Sequence, residues 1–194
     1  MQELRFACLR HGNLFRATLS EGQTEMIINE VVDKNLGIST DRITEILDYV
    51  NPKERCVLAA TVNEYRIDAR VRFDSPQYTK KPVEYLSSST LAISLAQVAH
   101  ILIDTTVRKN YYPFQSFMSP DHLEFLRQNH EMYFVDLTMK FRRRRLGGEY
   151  PLTIELLNSR RIALLAVHSL RFGIGDSVNG SCRTVVPLIG HNCQ

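Results

Sequence analysis

Tryptophan is absent from these 194 residues, so the aromatic share of 9% rests on tyrosine and phenylalanine alone. Only four cysteines are present, Cys8, Cys56, Cys182 and Cys193. None forms a C-x-x-C pair or a close Cys/His set, which argues against structural zinc and against an exported disulfide framework. Cys182 and Cys193 with His191 come nearest, and they lack a fourth ligand, so no metal is expected. No run of about 18 uninterrupted apolar residues occurs, and a membrane span is not expected. The start, MQELRFACLRHGN, places charges where a signal peptide needs its apolar segment, and the expected location is cytoplasmic. Glycine-rich phosphate loops and a strand–helix alternation are both missing, which excludes a dinucleotide fold; no cofactor is expected. Neither an internal repeat nor a low-complexity tract appears.

What is present suits a globular chain. Hydrophobic residues make up 44% and charged residues 23%, ordinary for a packed core. The net charge is only +3, but it is unevenly placed: KFRRRR (140–145) holds five basic residues and NSRR (158–161) two, seven of the 24. Nucleic acid is the reflex reading of such clusters. The strand-like flanks, the near-balanced total charge and the scarcity of interleaved aromatics make it an unlikely partner. Two unpaired guanidinium groups do not fit a buried sheet face, so the run belongs where a strand leaves the core. There Arg143 and Arg145 could meet phosphates or an acidic carrier protein.

Residues 1–20 alternate weakly and suggest one or two short strands. Met26, Ile27, Val31 and Leu36, closed by Gly37, predict a helix. Thr40 reads as the cap of a second, DRITEILDYV, ended by Asn51-Pro52. Then the period becomes two: CVLAATVNEY and RIDARVRFDSP read as strands, the second setting Ile67, Ala69, Val71 and Phe73 against charged neighbours. A loop, SPQYTKKP, follows. After the next helix an aromatic stretch, Tyr111 to Met118, must pack on the core or line an apolar cavity. A short helix begins at Pro120-Asp121. Four strands are predicted at 131–145, 150–158, 162–174 and 180–189, joined as hairpins at Gly147-Gly148, at Asn158–Arg161 and at Asp176–Gly180.

The segment between these halves, Tyr85–Lys109, carries Leu91, Leu95, Val98, Ile101 and Leu102 at helical spacing, with Ala92, Ile93, Ala96 and Ala99 around the rest. A helix apolar nearly all round must be buried nearly all round. About 22 residues make it ~33 Å long, the length of a sheet that could wrap it. The expected fold is α+β, a hot-dog: a long central helix wrapped by an antiparallel sheet, with short N-terminal helices. Residues 1–39 would be an N-terminal extension of short strands and a helix, and 40–194 the hot-dog domain. Subunits that continue each other's sheets remove exposed edges, so a homodimer is expected.

Hot-dog proteins usually act on acyl thioesters, and a thioesterase needs a polarised carbonyl and an activated water. The start of the helix supplies unpaired N–H groups and a favourable dipole, pointing to Tyr85, Ser87 and Ser88. Glu84 precedes the helix and is a weak candidate base. Inside it, Gln97 could orient a water or a pantetheine amide, and His100 could move protons; buried polar groups of this kind are more often structural. No Gly-x-Ser-x-Gly elbow supports a serine triad.

The strings ITEILDYVNPKERCVL, ISLAQVAHILI and VDLTMKFRRRRLGGEYPLTIELLN together resemble the FcoT-type long-chain fatty acyl-CoA thioesterases, over roughly three quarters of the chain. That resemblance implies a fatty acyl-CoA or acyl-carrier-protein thioester as substrate, hydrolysed in lipid metabolism without a helix carboxylate, by tyrosines and asparagines. Tyr49 falls where one family tyrosine lies, and Tyr78 or Tyr85 stands near the second. Ala96 and Ser87 replace the family's asparagines, a departure from its pattern. Catalytic residues would be Tyr49, Tyr85, Ser87, Ser88 and Gln97. Tyr78, Phe114, Phe117, Arg143 and Arg145 would bind the substrate. The alternatives are a 3-hydroxyacyl-thioester dehydratase, or a non-catalytic protein binding an acyl chain, a carrier protein or nucleic acid.

Overall fold

The computed structural model describes residues 4–10, 13–19, 29–30, 36–73, 86–109, 118–129, 133–142 and 148–188. It divides into two compact units, Met1–Asn35 and Leu36–Gln194. The first holds a three-stranded antiparallel meander, β1 (Leu4–Arg10), β2 (Asn13–Leu19) and β3 (Asn29–Glu30). One or two short strands were expected there; of the helix predicted to end at Gly37, residues 29–30 and 36–37 are strand, and the rest lies outside the described residues. Asn29 and Glu30 pair with Arg16 and Phe15. Leu36–Ile38 forms β4, paired with Val62, Thr61 and Ala60. Strand pairing overrides the local helical pattern, and Gly37 caps nothing. The second unit accordingly begins at Leu36, four residues before the expected domain start.

Within that unit β4 is followed by α1 (Thr40–Ile46), a 3-10 turn (Pro52–Glu54), β5 (Val57–Asn63) and β6 (Arg66–Phe73). Ser39, not Thr40, caps α1, its Oγ accepting from the Arg42 N–H at 3.2 Å. The long helix α2 (Ser88–Arg108) comes next, then α3 (Pro120–Asn129), β7 (Tyr133–Phe141), β8 (Gly148–Ile162), β9 (Leu165–Ile174) and β10 (Val178–Pro187). The seven strands form one antiparallel sheet in the order β4-β5-β6-β8-β9-β10-β7. α2 packs on β5, β6 and β8, with α1 and α3 beside it.

The helix is buried as its pattern requires. Leu91, Leu95, Val98, Ile101 and Leu102 are fully enclosed, facing Ile67, Val71, Leu152 and Ile154 of the sheet. By length and composition α2 could cross a membrane, but it lies inside the protein. The alternation of β6 also holds: Ile67, Ala69 and Val71 point inward, while Arg66, Asp68, Arg70 and Arg72 are exposed. On that outer face the charges pair across strands, Arg72 with Glu149 at 2.8 Å, Arg171 with Glu155 at 2.5 Å and Arg183 with Asp136 at 2.8 Å. Burial opposes the charge of Asp68, yet hydrogen bonds from Arg66 and Thr153 outweigh it and hold the carboxyl below its ordinary range.

Two expected hairpins are corrected. Gly147-Gly148 does not join paired strands, because β7 lies beside β10 at the far edge, Leu137 opposite Cys182. Both sides of β8 are taken, by β6 and by β9, with Ile67 opposite Ile154 and Ala69 opposite Leu152. Asn158–Arg161 is not a turn but the last part of β8. A bulge between Leu156 and Asn158 shifts its phase, so that Ser159 faces inward opposite His168. The real turn is Ala163-Leu164, with Ala163 at φ +52°, where sequence offers no glycine or asparagine as a signal.

One helix in the lap of an antiparallel sheet, whose next strand returns to the far edge, is the hot-dog arrangement. The second unit has this fold.

Candidate active site

Three polar side chains on one side of α2, Gln97, His100 and Asp104, are buried at spacings of about one turn. Each holds a different part of the segment that precedes β5. Asp104 accepts from Arg42 of α1 at 2.6 Å, and from Arg108 one turn along at 3.0 and 3.2 Å. His100 Nδ1 lies 2.9 Å from the Tyr49 hydroxyl, the two rings tilted by 37° with centroids 4.9 Å apart. Gln97 Oε1 accepts from the Cys56 N–H at 3.0 Å and from the Cys56 thiol at 3.2 Å, and its Nε2 donates to the Glu54 carbonyl at 2.8 Å.

Gln97 therefore grips the chain on both sides of Arg55. The Arg55 guanidinium in turn donates to the Val50 carbonyl at 3.1 Å and to the Asp48 carbonyl at 3.3 Å, on both sides of Tyr49. From Tyr49 the path returns through its hydroxyl to His100, one helical turn beyond Gln97. The half-buried phenol is thus fixed at its base and at its tip by a closed circuit of hydrogen bonds. Nothing in the sequence singled out Arg55, because its role depends on carbonyl groups whose directions the turn decides.

At its other end α2 starts with a cluster of hydroxyl groups. Ser87 is the cap: its Oγ accepts from the Thr90 N–H at 3.1 Å and lies 2.9 Å from Ser89 Oγ and 2.8 Å from Thr90 Oγ1. Ser88 is exposed beside it. From Ser88 to His100 the helix rises by ~18 Å, and to Gln97 by ~13 Å. Tyr49 and Gln97 come together on one flank, whereas Ser87 and Ser88 stand far along the axis. A single pocket built on one copy from all four is not formed, because a straight helix keeps its start and its middle apart. Tyr78, Tyr85, Phe114, Phe117, Arg143 and Arg145 lie outside the described residues. Arg142 and Lys140, beside the last two, are exposed at the end of β7.

His168, without a visible partner in the sequence, lies 2.8 Å from Ser159 Oγ on the inner face of the sheet. Burial pushes its pKa down to about 4, so the ring is neutral near pH 7. Both side chains are buried, so this serine is no exposed nucleophile. Among the described residues no three His, Cys, Asp or Glu side chains gather as a metal site needs.

No family model and no curated protein matches this sequence. Solved structures similar to it include a thioesterase from Pseudomonas aeruginosa, 11% identical, TM-score 0.45, covering 77% of this chain and 95% of that one. A thioesterase from Haemophilus influenzae is 12% identical at TM-score 0.45, over 80% and 95% of the two chains. Thioesterase superfamily member 2 from Mus musculus is 15% identical at TM-score 0.44, over 78% and 99%. At these values the likenesses decide nothing; strand order and the buried helix define the fold.

Proposed function

We propose that the chain is an acyl thioesterase acting on a fatty acyl-CoA or acyl-carrier-protein thioester. The observation that carries this reading is Tyr49, a half-buried tyrosine mounted on the central helix of a hot-dog sheet. It occupies the position that the resemblance to the FcoT-type thioesterases assigns to a reacting tyrosine. The absence of glutamate from α2 suits such chemistry, since Asp104, the carboxylate of that helix, is locked between two guanidinium groups.

In this reading the active form is a cytoplasmic homodimer. β7 is one of the two edge strands of the sheet, paired among the described residues with β10 alone, and it exposes Tyr133 (51%), Val135 (56%) and Phe141 (46%), large apolar residues on an edge strand. A second copy also answers the ~18 Å gap between Tyr49 and the hydroxyl-rich helix start. The start of α2 in one copy would polarise the thioester carbonyl, and the tyrosine of the other would handle the water. Phe114 and Phe117 would line the acyl chain; Arg143 and Arg145 would meet phosphates or a carrier protein.

The test is a panel of acyl-CoA and acyl-carrier-protein thioesters of graded length, read by release of free thiol. Release that falls sharply in Tyr49→Phe is the expected result. A folded protein that releases thiol from no member of the panel would overturn the reading. Loss of water from a 3-hydroxyacyl thioester without thiol release would transfer the chain to the dehydratases.

A further inference from the structure

We infer that His100 is the proton partner of Tyr49, accepting the phenol proton at Nδ1, and that Gln97 and Arg55 are positioning residues for this pair. The inference rests on the thioesterase reading for its chemistry but on separate geometry for the pair itself. A tyrosine that only packed would need no mount. Here the backbone is gripped on both sides of Tyr49 by Arg55, and on both sides of Arg55 by Gln97. The phenol then ends 2.9 Å from an imidazole that is itself buried on a rigid helix. A functional group held at base and tip on a rigid element is preorganised, and preorganisation is what a reacting group requires.

The direction of the shared proton decides what the phenol does. With Nδ1 as acceptor, the phenol O–H points at the ring and the oxygen turns its lone pairs towards its half-exposed side. It can then take a proton from water, not offer one to a carbonyl. The step balances as follows. The water oxygen bonds to the thioester carbonyl carbon as one water proton moves to the Tyr49 oxygen and the phenol proton moves to His100 Nδ1. When the tetrahedral intermediate collapses, the C–S bond breaks. The imidazolium proton returns through the phenol to the leaving thiolate, which departs as thiol, and the enzyme is restored. Gln97 acts only through the chain it holds.

Among the described residues, the charged and titratable groups tied into the same hydrogen-bond network are Asp104 with Arg108 on α2, Arg42 on α1, and Arg55 and the Cys56 thiol on the connecting segment. Asp104 is bound by two arginines, so proton transfer falls to the imidazole.

Two measurements test the inference. The first uses nitrogen NMR of the labelled histidines in the full chain near pH 8, which needs no activity. The expected result is an unprotonated Nδ1 in His100, its resonance shifted in Tyr49→Phe; a protonated Nδ1, or no shift, overturns the inference even if the protein is a thioesterase. The second compares His100→Asn with the unaltered enzyme. Asparagine places an acceptor near the Nδ1 position but takes up no proton. We expect kcat to fall by 10²–10³-fold, KM to stay within about threefold, and the acidic limb of the kcat–pH profile to disappear. Full rescue by asparagine with the limb retained would make His100 a mere brace and overturn the inference. If no thioester is hydrolysed at all, the thioesterase reading fails and the NMR result still judges the pair.

Discussion

Removing Arg42 and Arg108 together should unfold the chain far more readily than removing either alone, because they share one buried carboxylate. The Asp104 side chain is only 5% exposed, whereas Arg42 (27%) and Arg108 (34%) both reach water. In Arg42→Ala the carboxylate keeps Arg108, and the loss is that of a charge-assisted hydrogen bond, ~1.5–3 kcal/mol. Arg108→Ala should cost no more, since its bonds to Asp104 are longer, 3.0 and 3.2 Å against 2.6 Å. In the double variant a carboxylate is left inside the protein with neither guanidinium, and the cost should reach ~3–5 kcal/mol. Adding Asp104→Asn to the double variant removes the stranded charge and should return part of that stability. Urea titration followed by far-UV circular dichroism measures the unaltered protein and the four variants. With a slope near ~3 kcal/mol per molar for a chain of this size, the double variant's midpoint should fall by about 1–2 M. Two results would refute the reasoning: a double variant no less stable than Arg42→Ala, or a further loss on adding Asp104→Asn.

Acid should destabilise the protein through His168. Its folded pKa, about 4, lies below the ordinary 6.5, so as pH falls through that interval the unfolded chain takes up a proton that the folded one refuses. Stability is therefore complete above about pH 6.5, declines by ~3 kcal/mol towards pH 4 and levels off below; His168→Gln should flatten this part of a plot of urea midpoint against pH. A methyl group at Gly180 would strike the Thr138 carbonyl of β7 and the Phe172 ring, 2.5 Å away at Cζ, so Gly180→Ala should lower stability by ~1–3 kcal/mol. Gly173→Ala is the control, since its nearest neighbour would be the Val178 carbonyl at 3.7 Å, an ordinary contact, and its melting temperature should barely move. Burial, with the nearby charge of Asp136, pushes the Cys182 thiol up to about 12; alkylation at pH 8 followed by peptide mapping should find it unmodified until the chain is denatured.

The periodicity of the sequence by itself determined the central helix, because apolar residues around its whole circumference leave no exposed alternative. It determined β6 in the same way, since alternating arginine and aliphatic residues permit only one face to be buried. The tyrosine at the end of ITEILDY was visible through resemblance, and Gln97 and His100 were visible as polar residues in an apolar helix. Their partners were not. Gln97 binds backbone groups of Glu54 and Cys56, His100 binds a tyrosine 51 residues away, and Arg55 reaches carbonyls whose directions exist only after the turn has formed. Strand neighbours were equally hidden. β7 pairs with β10 and not with β8, and β8 runs on through Asn158–Arg161, because inner-face packing across the sheet outweighs closeness along the chain. Local pattern states which faces must be buried; only the assembled sheet decides which residues meet, because contact energy depends on distance in space and not in sequence.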